Sequence, residues 1–79
     1  MNILKLKEYS AGRLIYEYQP EGKGEYGEVF FDIPKHEGKL LKKAEEDSPR
    51  ALYGQKALIK VEELIQKNNI PLECTQAWY

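Results

Sequence analysis

Two hydrophobic periods divide the chain, and the switch between them limits what it can fold into. Residues 2–45 alternate apolar and polar side chains and are broken by glycine-containing turns, whereas residues 49–68 repeat apolar positions every three or four. Period two belongs to half-buried strands and period 3.6 to an amphipathic helix. The last ten residues alternate again. The expectation is an α+β domain spanning residues 1–79: an antiparallel sheet of four to five strands with one long helix packed on one face, in ββββαβ order.

The first hairpin is the best marked. Asn2–Tyr9 and Arg13–Gln19 are rich in strand formers, and Ser10-Ala11-Gly12 fits a three-residue loop with glycine in the left-handed position. Counting back from Tyr9 opposite Arg13 sets Glu8 against Leu14, Leu6 against Tyr16 and Leu4 against Tyr18. Lys5 then meets Glu17, an opposite-charge pair on the other face. A third strand runs over residues 26–33, with Val29, Phe31 and Ile33 on one side and Glu28, Phe30 and Asp32 on the other. Pro34 to Gly38 is a turn. Residues 39–45 read as a returning strand, with a short helix from Lys39 to Asp47 as the alternative.

Ser48 as N-cap and Pro49 as first helical residue mark a helix start, with Glu45-Glu46-Asp47 ahead of it as dipole support. Ala51, Gly54, Leu58, Val61 and Ile65 form its apolar stripe, widened by Ala57 and Leu64. Asn68-Asn69 and Pro71 end it. The tail places Leu72, Cys74 and Trp78 in step as a closing strand. The expected core joins Leu4, Leu6, Leu14, Tyr16, Val29, Phe31 and Ile33 to Leu58, Val61 and Ile65. From Gly27 to Tyr79, this order of hairpin, capped helix and closing Trp-Tyr strand resembles that of short bacterial proteins without an assigned activity. The resemblance implies a fold and no chemistry.

Composition narrows the function classes. Twelve basic and thirteen acidic residues leave a net charge of −1, without the bulk positive field that draws proteins to nucleic acid or anionic lipid. The first residues interleave charge with apolar pairs, unlike a signal peptide, and no apolar run reaches the roughly 18 residues of a membrane span. Cys74 is the only cysteine, which forbids an internal disulfide and suits a reduced, cytoplasmic setting.

Gly22-Lys23-Gly24-Glu25-Tyr26-Gly27-Glu28-Val29 matches G-x-G-x-x-G-x-V and so resembles the glycine-rich phosphate loop of protein kinases. The context opposes it. The string Ala57-Leu58-Ile59-Lys60, like that of the kinase lysine strand, falls in the helix, and no H-R-D or D-F-G follows. His36 sits at a polar turn, Cys74 has no evident base, and neither Glu45-Glu46-Asp47 nor Glu62-Glu63 has metal-site spacing. No catalytic residue, cofactor, metal or small-molecule ligand is expected. The remaining signal is aromatic. Ile15 and Phe30 fall on the face away from the helix with Lys5 and Lys7 around them, and Tyr79 ends the chain. These five are the candidate partner surface, for another protein or a second copy. Single-stranded nucleic acid, stacked on the aromatics with Lys5, Lys7, Lys39, Lys42 and Lys43 on phosphates, is the alternative and is disfavoured by the interleaved carboxylates.

Overall fold

A computed structural model describes residues 1–77. Five antiparallel strands, β1 (Asn2–Ser10), β2 (Arg13–Pro20), β3 (Gly27–Asp32), β4 (Glu37–Lys42) and β5 (Glu73–Gln76), form one sheet in the order β4-β3-β2-β1-β5. The helix α1 (Leu52–Gln66) lies across one face and carries the chain from the β4 edge to the β5 edge. The α+β class and the ββββαβ order are as expected, and Glu37–Lys42 is a strand rather than the start of a helix.

The first hairpin reaches its expected register by a different route. Ala11 and Gly12 both have positive φ, 52° and 76°, so the turn has two residues and Ser10 faces Arg13. This is the left-handed pair that matches strand twist. Tyr9 therefore faces Leu14, and Glu8 faces Ile15 on the face away from the helix. The expected Tyr9–Arg13 and Glu8–Leu14 pairs do not form. A bulge at Lys7 absorbs the odd residue, after which Leu6–Tyr16, Lys5–Glu17 and Leu4–Tyr18 pair as the alternation demands.

Leu4, Leu14, Tyr16, Tyr18, Val29 and Phe31 are buried under α1, with Leu6 and Ile33 half-buried at the margin. The helix meets them with Gly54, Ala57, Val61 and Leu64, while Leu58 and Ile65 flank the contact. The true stripe is thus turned slightly from the expected one. A Cβ added to Gly54 would stand 2.9 Å from the Tyr18 hydroxyl, so only a bare backbone can ride over that ring.

The helix also begins later than Ser48 and Pro49 suggest. Ala51 adopts φ 54° and breaks the backbone there. The Asp47 carboxylate collects the orphan amides instead. Its Oδ1 accepts from Tyr53 N at 2.9 Å and Ser48 N at 2.8 Å, and its Oδ2 accepts from Gly54 N at 3.0 Å and the Tyr18 hydroxyl at 2.7 Å. Ser48 Oγ accepts from Leu52 N at 3.0 Å, so serine keeps a capping role alongside Asp47. Tyr18 in turn accepts the Ala44 amide at 3.0 Å. At the other end Asn68, at φ 53°, donates to Ile65 O while Asn69 N donates to Leu64 O. These bonds form a Schellman stop with asparagine in the left-handed position.

The tail departs from its expected alternation. Leu72 precedes β5, is 77% exposed, and uses its carbonyl to accept the Leu6 amide. Cys74 packs half-buried against the core. Tyr16 donates its hydroxyl to Pro71 O at 2.6 Å, which ties the linker ahead of β5 to the sheet.

Candidate protein-interaction surface

One layer of helix covers one face of the sheet, and the opposite face is built by the alternate residues of the same strands. Cross-strand register arranges them in rows. At one end of the sheet stand Glu37, Asp32, Arg13 and Ser10. The next row is Lys39, Phe30, Ile15 and Glu8. Below it lie Lys42, Glu28, Glu17 and Lys5, extended by Glu73 of β5. Ile3 and Gln19 pair in the row beyond, where Thr75 faces Ile3. Phe30 and Ile15 are therefore direct neighbours, half-buried among side chains of both signs. They are close enough for cross-strand contact.

The structure brings four of the five candidate residues to this face. Ile15 and Phe30 form its apolar centre. Lys7, placed by the bulge, reaches the Glu28 carboxylate, which raises the lysine above its ordinary titration range. Lys5 lies 5.2 Å from the Tyr26 ring centroid and is likewise raised, chiefly by Tyr26, with smaller help from Glu73 and Glu17. Tyr79, and with it Trp78, lies outside the described residues.

Two features were not foreseen from sequence. Lys39 sits 5.7 Å from the Phe30 ring centroid, so a lysine flanks each aromatic ring of this face. Arg13, expected opposite Tyr9, turns instead to Asp32, its cross-strand neighbour, with Nε 3.4 Å from Oδ2. The signal for the second was present as an Arg–Asp pair, but it is the β2–β3 register that sets the two opposite each other. Apolar side chains more exposed than this pair lie elsewhere, Leu72 ahead of β5 among them. Leu52 and Ile59, on the outer side of α1, are 55% and 64% exposed. They are seven residues apart, hence on one helical stripe.

The groups that chemistry would need stay apart. His36 precedes β4 and Cys74 lies on β5, at opposite edges of the sheet. Burial pushes the Cys74 thiol up, against thiolate formation. Among the described residues no cluster of three histidine, cysteine or acidic side chains could hold a metal ion. Nor is any described helix long and apolar enough to cross a membrane. The glycine-rich segment is not an open cradle. Gly22 N and Lys23 N donate to Gln19 O and Pro20 O, and Glu25 N donates to Glu45 Oε1 at 3.0 Å. A carboxylate of the same chain thus stands at the loop where a phosphate would need to approach.

No family model, curated protein or solved structure matches the chain.

Proposed function

We propose that the chain is a non-enzymatic protein-interaction module, and that the open sheet face centred on Phe30 and Ile15 is its contact surface. The observation that carries this reading is an apolar pair in direct register on the uncovered side of a sheet, rimmed by charged rows. A buried apolar centre with a polar rim is the anatomy of a protein interface. The mixed sign of the rim favours a protein partner or a second copy over a polyanion. Lys7 is engaged by Glu28, and Glu17 and Glu28 stand side by side, so a nucleic-acid backbone crossing here meets carboxylates as well as lysines.

Two measurements on wild type and Phe30→Glu test it. Light scattering across a wide concentration range reads self-association, and affinity capture from source cells with quantitative mass spectrometry reads other partners. The expected result is an association, with itself or with a particular protein, that wild type makes and Phe30→Glu loses. A strict monomer whose captured proteins are the same for both forms would remove the reading.

A further inference from the structure

Beside Phe30 the open face sinks into a cleft of about 400 Å³, lined by Arg13, Phe30, Asp32, Lys35, Glu37 and Lys39. Asp32 is buried, accepts the Lys35 amide on Oδ1 at 3.2 Å, and meets Arg13 Nε on Oδ2 at 3.4 Å. That contact holds the guanidinium by its inner edge. Its two terminal amino groups have no hydrogen-bond partner among the described residues, although the side chain is 63% exposed at the cleft. Lys39 is steadied over the Phe30 ring. Three basic and two acidic residues thus line the cleft, on a chain whose net charge is −1.

We infer that this cleft receives a carboxylate of the protein partner, borne next to an apolar side chain. The inference rests on reading the open face as a partner surface, and it names the chemistry of what docks there. Arginine held by Nε presents its outer fork to a second planar carboxylate, the geometry in which guanidinium binds best. The neighbouring apolar side chain covers Phe30. Glu37 adds selectivity, because it tolerates one negative charge near Arg13 and Lys35 more readily than a phosphate dianion. Charge complementarity, rather than apolar area, decides the occupant.

Amide-detected NMR titration of the intact chain tests it with two probes, N-acetyl-glycyl-phenylalanine with a free carboxylate and the same peptide as its C-terminal amide. The free acid should shift Arg13, Asp32 and Lys39 and saturate in the millimolar range, and the amide should bind at least about tenfold more weakly. Arg13→Gln should reduce the acid to the level of the amide, and Lys39→Gln, which leaves Asp32 paired, supplies the same test if Arg13→Gln fails to fold. Added salt should weaken the acid alone. Equal binding of the two peptides, or no saturable shift at these residues, overturns the inference, as does inorganic phosphate saturating the same residues more tightly than the acid. Capturing partners with Arg13→Gln separates the two levels. If Phe30→Glu loses the association and Arg13→Gln keeps it, the cleft assignment falls and the open-face reading stands. If neither variant loses it, both fall.

Discussion

Asp47 ties three parts of the structure together, because one carboxylate serves the helix start, the sheet and the β4–α1 connection. It accepts four hydrogen bonds, one of them from a tyrosine hydroxyl in the core. Asp47→Ala leaves the Tyr18 hydroxyl and the Gly54 amide without this acceptor, and should cost about 2–4 kcal/mol by urea denaturation. Tyr18→Phe and Asp47→Asn should show a coupling of about 1 kcal/mol in a double-mutant cycle, since they share a bond. The tyrosines also set an alkaline limit. Burial pushes Tyr16 up to about 12 and raises Tyr18 as well. An unfolded tyrosine titrates near about 10. Protonated tyrosine is the form the fold favours, so this stabilisation is complete below about pH 10 and is lost as pH rises through about 12. Denaturation midpoints should fall over that window, and phenolate absorbance from these two rings should appear at higher pH than that of an unfolded tyrosine. A flat midpoint across the window contradicts the assignment. Asp47 was legible only as part of an acidic run before a helix. Its convergence with Tyr18 depends on a crossing of helix over sheet that no local pattern encodes.

Turns and caps explain how the elements meet, and they are where local sequence misled. Ser10-Ala11-Gly12 suits a three-residue loop, yet the chain uses a two-residue turn and restores register with a bulge at Lys7. The hydrophobic alternation of Leu4, Leu6, Tyr16 and Tyr18 prevailed over the turn, because a slip there would expose the whole set. That alternation is why the far end of the hairpin was readable and its tip was not. Ala11 bears a positive φ that asparagine tolerates better, so Ala11→Asn should stabilise the chain by about 0.5–1 kcal/mol in thermal or urea unfolding. A loss of stability would count against the turn assignment. At the start of β3, Gly27 has the opposite requirement. A Cβ there would lie 2.5 Å from Ala44 N and 2.6 Å from Lys42 O, as well as against the Tyr18 ring. Gly27→Ala should therefore cost more than about 2 kcal/mol or abolish folding, read by circular dichroism and urea melts. The third glycine of the phosphate-loop pattern is thus explained by close packing.

At the scale of the molecule, the chain is a single helix laid across one side of a five-stranded sheet. The pairing of period two with period 3.6 carried that layering in the sequence, and with it the sorting of Phe30 and Ile15 to the far side. The order of strands was less accessible, since β5 joins β1 only because α1 crosses the sheet and returns the chain to that edge. The edges themselves are blunted, β4 by Lys39, Lys42 and a bulge at Leu41, and β5 by its four-residue length. Apolar side chains within reach of a partner include the half-buried pair on the open face and the exposed Leu52–Ile59 stripe of the helix. A direct comparison of Phe30→Glu with Ile59→Glu in the same affinity capture decides between them. The open-face account predicts that both variants fold and that Phe30→Glu alone loses the association. Loss in Ile59→Glu with retention in Phe30→Glu would contradict it.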